Sequence, residues 1–184
     1  MSALRLQSRN AKGFTLIEVL VSLVILAFGM LALARAMGSA SLDELESFQR
    51  AQAMVITQDI VERINANRKQ ALQYVGTYPS EMNALVASEC TAEPTVLGRD
   101  QCEFRNRLLG NDTLDGTRPI GAPMASRACI TETAPGSNLY IVAIAWQGVK
   151  PTAAPDSTCG EDAFDREENR RVFSTVVQIA TLGL

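Results

Sequence analysis

The feature that most constrains this chain is an apolar segment near its N-terminus that carries one charge. Residues 14–34 form a run of 21 residues in which Glu18 is the only ionisable side chain. That length suffices for a helix to cross a bilayer, which needs roughly 20 residues. A carboxylate in hydrocarbon costs on the order of 2.5–3.5 kcal/mol even on the milder insertion scales. We therefore expect Glu18 to have a partner charge.

The charges on either side of this segment predict its orientation. The residues before Gly13 include Arg5, Arg9 and Lys12 and no acidic residue, and Arg35 ends the apolar run on the other side. Basic residues that flank a membrane span remain preferentially in the cytoplasm. The sequence therefore predicts a cytoplasmic N-terminus and an exported remainder.

Four motifs follow one another in this region: a short basic leader, Gly13, the sequence from Phe14 to Glu18 (Phe-Thr-Leu-Ile-Glu), and the apolar helix. This order resembles the class III signal of type IV pilins and pseudopilins. The resemblance implies that a prepilin peptidase removes residues 1–13 and that the new amino group of Phe14 is methylated. It also implies that Glu18 pairs with the N-terminal amine of a neighbouring subunit, so that two groups costly to bury neutralise each other.

A helical pattern resumes from Leu42 and predicts an amphipathic second half of the same helix, residues 35–76. Apolar residues recur there at spacings of three, four or seven, which indicates one stripe that packs as core. The stripe consists of Leu45, Phe48, Val55, Ile56, Ile60, Ile64, Ala71 and Val75. On the remaining surface, Glu46 with Arg50 and Asp59 with Arg63 are spaced as i,i+4 ion pairs. Gly76 predicts the end of the helix.

Residues 77–184 are expected to form a globular head on the exported side. The segment 139–147 is the clearest strand, and its two apolar faces favour a central position in a sheet. The other predicted elements are a helical turn at 80–87, a helix at 100–109, a turn at 111–116, and strands at 128–131 and 171–182. A long helix packed on a C-terminal antiparallel sheet is an α+β arrangement in two layers, which resembles the pilin fold.

The four cysteines, Cys90, Cys102, Cys129 and Cys159, all follow the apolar segment. In an oxidising compartment two disulfides are the expected state. Three connectivities are possible. We favour Cys90–Cys102 with Cys129–Cys159, because each pair flanks a loop-like stretch. No Cys-x-x-Cys spacing indicates a metal site.

A long loop, residues 148–170, separates the last two strands, and loops of this length inside compact domains are often functional. Its acidic side chains are Asp156, Glu161, Asp162, Asp165, Glu167 and Glu168. A solvated surface is the first interpretation of this cluster. A calcium site and a partner-binding face are the alternatives, although the spacing matches no defined calcium loop.

The composition excludes several classes of function. The chain has no histidine, which removes Ser-His-Asp and Cys-His catalysis and His-ligated metal sites. No spacing singles out a catalytic pair of carboxylates. The formal net charge is −3 and no basic patch lies beyond the leader, so nucleic acid is not an expected partner. We expect no enzymatic activity, no cofactor and no metal.

The resemblance implies a structural role in fibre assembly. The favoured hypothesis is a minor pilin of the PilV type that primes assembly of a type IV pilus within a tip-associated complex. The apolar run after Ile17, the overall length and the strand end at Trp146 resemble that type, and Arg35 stands where major pilins usually carry proline. The implied partners are a prepilin peptidase, other minor pilins, the major pilin and the inner membrane, with a tip adhesin as a further candidate.

Two other hypotheses remain open. The first is a minor pseudopilin of a type II secretion system, which has the same N-terminal chemistry. The second is a soluble periplasmic binding protein, because Ala32-Leu33-Ala34 resembles a signal-peptidase site. In the pilin hypotheses the precursor lies in the inner membrane with a periplasmic head and later joins the fibre.

The hypotheses differ in the N-terminus of the mature chain. We expect mass spectrometry of protein extracted from membranes to find a chain that begins at a methylated Phe14, because cleavage after Gly13 creates that amine. A chain that begins near Met37, or an uncut chain, would contradict the assembly hypotheses.

Overall fold

A computed structural model describes residues 13–79, 90–111, 113–116 and 118–180. The turn predicted at 80–87 lies outside these ranges. The helices are α1 (Leu16–Ala66) and α2 (Val96–Leu108), with short 3₁₀ segments at Arg68–Tyr74, Cys90–Ala92 and Glu167–Asn169. The strands are β1 (Gly76–Tyr78), β2 (Leu114–Asp115), β3 (Arg118–Pro119), β4 (Arg127–Glu132), β5 (Leu139–Gln147) and β6 (Arg170–Gln178).

The chain divides into two compact units, Met1–Ser41 and Leu42–Leu184. In the first unit the described residues belong mainly to the apolar part of α1, and all of them are exposed. The second unit holds the rest of α1, α2 and both sheets. The predicted α+β fold is confirmed, because α1 packs on a four-stranded antiparallel sheet.

The α-helical part of the chain ends earlier than the sequence predicted. It stops at Ala66, and the chain continues as a 3₁₀ segment in which Gln70 leaves the helical region. Asn67 donates its side-chain N–H to the Tyr74 hydroxyl at 3.1 Å, and such local side-chain bonds compete with a regular helix. Tyr74 is fully buried, so burial of this ring accompanies the change in helix type.

The sheet has the strand order β1-β4-β5-β6, and all of its pairs are antiparallel. β5 occupies the predicted central position, with Val142 opposite Ile130 on β4 and Thr175 on β6. β1 was not predicted, because three residues are too few for an alternating pattern. Part of the expected turn at 111–116 is strand instead, because Leu114–Asp115 form β2 and pair with β3 in a small hairpin.

The two faces of β5 are covered by different parts of the chain. One face carries Tyr140, Val142, Ile144 and Trp146, and it joins α1 and α2 in the main core. The other face is covered by the long loop before β6, where Cys159 packs on Ala143 and Ala145. At Gly160 the loop comes so close that an added Cβ would lie 2.8 Å from Cβ of Ala145. Gly160 also has φ +70°, a conformation that favours glycine.

Only part of the predicted apolar stripe of α1 is buried. Ile56, Ile60 and Ile64 are buried, whereas Phe48 is 53% exposed and Val55 is 57% exposed. Leu45 and Val75 are also exposed. The prediction failed because the apolar residues of this half-helix lie on two faces, and the sheet covers one of them.

Polar and small residues complete the buried face of α1 where the stripe failed. Gln49, Ala53 and Thr57 are buried there. The Thr57 hydroxyl donates to the Ala53 carbonyl at 2.7 Å. This bond satisfies the hydroxyl within the helix, so Thr57 can enter the core without an unpaired polar group.

Arg63 fastens α2 to α1. Its guanidinium binds Asp59 at 2.9 Å, Asp100 at 3.0 Å and Glu103 at 2.6 Å. The predicted pair of Asp59 and Arg63 is therefore confirmed, but it belongs to a larger network between the two helices. Asp100 also accepts a hydrogen bond from the Tyr74 hydroxyl at 2.5 Å. Burial and this contact with Asp100 raise the pKa of Tyr74 above its usual value.

The other predicted i,i+4 pair was wrong. Glu46 binds Arg171 on β6 at 2.6 Å, and it does not pair with Arg50 in the described part of the chain. The second carboxylate oxygen of Glu46 accepts the Val149 N–H at 3.0 Å. An i,i+4 ion pair on a helix surface contributes only about 0.3–0.5 kcal/mol. The contact of Glu46 with two donors that the fold holds in place is therefore favoured over a pair with Arg50.

The buried face of α1 can be tested by paired truncations on one helix. We expect Ile60→Ala to lower the free energy of unfolding by about 2–4 kcal/mol, because it leaves a cavity in the core. Val55→Ala should cost less than about 0.5 kcal/mol, because its side chain is exposed. Urea unfolding of the full chain in detergent, followed by fluorescence of Trp146, measures both; the chain has one tryptophan, and it is buried. Equal losses would contradict the assignment of the two faces.

Candidate functional site

The first turn of α1 forms at the position where the sequence predicts processing. Gly13 and Phe14 precede the helix, which begins at Leu16. The Glu18 N–H donates to the Thr15 carbonyl at 3.1 Å and approaches the Thr15 hydroxyl at 3.4 Å. Thr15 therefore acts as the N-cap, and Glu18 is the third residue of the helix. A carboxylate in the first turn is favoured by the helix dipole. This helix start was not predicted, although Thr-x-x-Glu at residues 15–18 is a local sequence signal for it.

Glu18 is exposed and makes no ion pair with the described residues. It lies on one side of α1 with Phe14 and Ser22, at spacings of four, and these residues line a shallow groove of about 350 Å³. The Ser22 hydroxyl donates to the Glu18 carbonyl at 2.7 Å, so it is satisfied within the helix. The Glu18 carboxylate is therefore the charged group on this surface that is available to a partner.

The surface around Glu18 is apolar and exposed on every side of the helix. Phe14 is 83% exposed, Ile25 is 65% exposed and Leu31 is 68% exposed. The most apolar window of α1 has a mean hydropathy of 2.7 and none of it is buried. A patch of this size requires a membrane or other apolar helices as its environment.

The cysteines predicted as site residues form two disulfides. Cys90 binds Cys102 with their Cα atoms 5.4 Å apart, and Cys129 binds Cys159 with their Cα atoms 5.7 Å apart. This is the pairing that the sequence analysis favoured. The first bond attaches a 3₁₀ segment to α2, and the second attaches the loop before β6 to β4.

The acidic loop is organised by two arginines that the sequence analysis did not single out. Arg170 is 3% exposed and its guanidinium donates to the carbonyls of Ser157 and Cys159. Arg170 also binds Glu167 at 2.6 Å and thereby lowers the pKa of that carboxyl. Arg171 binds Glu46 on α1. The bond between Arg171 and Glu46 joins residues far apart in the sequence, so no local pattern predicts it.

The loop carboxylates do not form a metal site in the part of the chain that is described. Among those residues, no group of three or more His, Cys, Asp or Glu side chains could hold an ion. Glu167 is engaged by Arg170 and by the Asp162 N–H. The calcium alternative has no geometric support here.

The processing sequence, the exposed apolar helix with its single carboxylate and the disulfide-bonded head define a class of exported fibre subunits. Comparisons with protein families agree. Residues 8–34 match the prokaryotic N-terminal methylation motif, and residues 34–105 match the type IV pilin Tt1218 family. No curated protein and no solved structure gives a significant match. The chain belongs to the type IV pilin family and is anchored in the inner membrane by its N-terminal helix.

The two disulfides should differ in their effect on stability. They close loops with separations of 12 and 30 residues. By the loop-entropy relation, we expect replacing Cys129 and Cys159 by alanine to cost about 3.6 kcal/mol, and replacing Cys90 and Cys102 about 2.8 kcal/mol. Urea unfolding of the full chain in detergent measures both. A larger loss for the Cys90–Cys102 pair would contradict this ordering.

Proposed function

We propose that this chain is a minor pilin of a type IV pilus, of the PilV type, that primes fibre assembly within a tip-associated complex. The proposal rests above all on Glu18, the only charge in the exposed apolar segment from Phe14 to Ala34. Arg35 supports a minor subunit, since the helices of major pilins usually carry proline at this position. The role is structural, without catalysis, as is general for pilin families.

The proposed mechanism begins with a precursor in the inner membrane. A prepilin peptidase cleaves after Gly13 and the amino group of Phe14 is methylated. The apolar helix then packs against the helices of other minor pilins. Glu18 accepts the cationic amine of a subunit already in place above it, and this pairing removes the cost of two isolated charges in an apolar environment. Because it needs a subunit above it, this chain is not the outermost one.

The second candidate is a minor pseudopilin of a type II secretion system. The methylation motif and the helix serve both machines equally well. The large disulfide-bonded head favours the pilus, because the pseudopilins that this chain most resembles are usually shorter. A soluble binding protein released by cleavage near Ala34 has the least support. Such cleavage would remove residues 8–34, and this is the segment that matches the methylation motif.

The role of Glu18 can be tested in a deletion strain complemented with variants. We expect Glu18→Ala to be processed to the normal mature mass but to restore surface piliation at least tenfold less well than the wild type, because the amine loses its partner. Ser22→Ala is the matched control, since it removes a polar group on the same side of the helix and should restore normal piliation. Full restoration by Glu18→Ala would contradict the pairing mechanism.

The deletion strain itself separates the two machines. A pilus subunit predicts loss of surface pili and twitching motility with normal secretion of exoproteins. A pseudopilin predicts the reverse. The mature mass of the complemented protein, measured on the same cells, shows whether processing occurs. The choice between the two machines is thereby tested separately from processing.

A further inference from the structure

Strand β6 forms one edge of the sheet, and no strand of the described residues pairs with its outer side. The Ile179 N–H donates to the Asn138 carbonyl at 2.8 Å. In an antiparallel ladder such bonds alternate along the strand, so Phe173 and Thr175 bond to β5. The residues between them, including Ser174 and Val176, therefore direct their N–H and carbonyl groups away from the sheet.

Within the described ranges, this edge lacks the protection that edge strands normally have. Residues 172–178 contain no charge and no proline, and the register with β5 runs without a bulge from Arg170 to Gln178. Ser174 and Val176 are exposed. Natural proteins protect such edges with lysine, proline, a bulge or a covering element, because an open edge is a template for another strand.

Two pockets lie one after the other along the edge between α1 and β6, and we call them together the groove. Its first part, of about 330 Å³, lies at Arg50 and Arg171. Its second part, of about 340 Å³, lies at Met54, Gln58 and Phe173. The three α1 residues follow one another at spacings of four and so share one face of the helix. An added strand would direct alternate side chains into this groove.

The charges of the first part of the groove define the kind of segment end that fits there, and Glu62 is the charged residue that lines the second part. Arg50 makes no ion pair with the described residues, whereas Glu46 neutralises Arg171. Trp146 is 3% exposed, and its indole N–H has no acceptor among the residues that the structure describes. Arg50 and Trp146 both line the part of the groove beside the start of β6. A carboxylate placed there would meet an uncompensated cation.

We propose that β6 and this groove bind an extended segment of another polypeptide, which joins the sheet as an antiparallel strand. Every other pair in the sheet is antiparallel, so the added strand ends beside the start of β6. The segment has apolar side chains at alternate positions, facing Met54 and Phe173. It carries a carboxylate near its C-terminal end, at Arg50. This partner surface uses no residue of the membrane segment and is independent of the amine pairing at Glu18.

The proposal can be tested by photo-crosslinking of the full-length chain in its native host. A benzoylphenylalanine in place of Gln58 probes the groove, and the same probe in place of Asp156 is the control on the loop. Ser174→Pro removes an outward N–H and leaves the ladder with β5 intact, whereas Ser174→Ala keeps the N–H. Arg50→Glu reverses the proposed contact charge, and Arg99→Glu is the matched exposed control on α2.

We expect the probe at position 58 to crosslink to an extended segment of a partner, and this segment should contain a carboxylate. The probe at position 156 should give no such crosslink. Ser174→Pro and Arg50→Glu should each reduce its yield at least tenfold, and the two control variants should leave it unchanged. Intact disulfides in each variant, read by thiol alkylation, report a folded head. If Ser174→Pro disturbs the disulfides, the crosslink yield of the Arg50→Glu variant alone tests the proposal.

The proposal would be overturned if the Arg50→Glu variant gave the same crosslink yield as the wild type. The same yield from Ser174→Pro with intact disulfides would also overturn it. A crosslink that maps to a helix of the partner, or no crosslink from Gln58, would also overturn it. All of these variants keep residues 13–41 unchanged. Their outcome therefore does not affect the test of Glu18.

Discussion

One helix must satisfy two environments, and the rest of the structure depends on that constraint. From Leu16 to Ser41 every residue of α1 is exposed and most are apolar, which suits lipid or other helices. From Gln49 to Ile64 the same helix supplies buried residues to the core of the head. A sheet that packs on one side of a helix covers only one face. The head therefore buries Ile60 and leaves Phe48 and Val55 outside.

The head compensates for this one-sided contact with polar bonds at both ends of the shared segment. Glu46 holds Arg171 and the start of the loop near one end, and Arg63 holds α2 near the other. Both sites join charged groups that are partly shielded from water, where such pairs contribute more than on an open surface. The core fixes which face of α1 is covered, and these ionic contacts fix the position of the sheet and of α2 along it.

Features encoded by neighbouring residues could be predicted from the sequence, and features that depend on folding could not. The apolar span, strand β5 and the segment around Glu18 have local signatures, and the cysteine pairs flank their own loops. The early end of α1 at Ala66 could not be foreseen, because it accompanies the burial of Tyr74 and its contact with Asp100. The partner of Glu46 lies on β6, and only the register of the sheet brings it near. The groove beside β6 also follows from the sheet order, which no single segment encodes.

The bond between Cys129 and Cys159 has a consequence for survival outside the cytoplasm. It spans β5 and about the first half of the loop before β6. A protease that cuts the backbone once between these cysteines leaves both fragments covalently joined, with β4 still attached to the loop that covers Ala143. The head can therefore be nicked without losing a fragment, and a subunit damaged in this way would still transmit a pulling load along its chain.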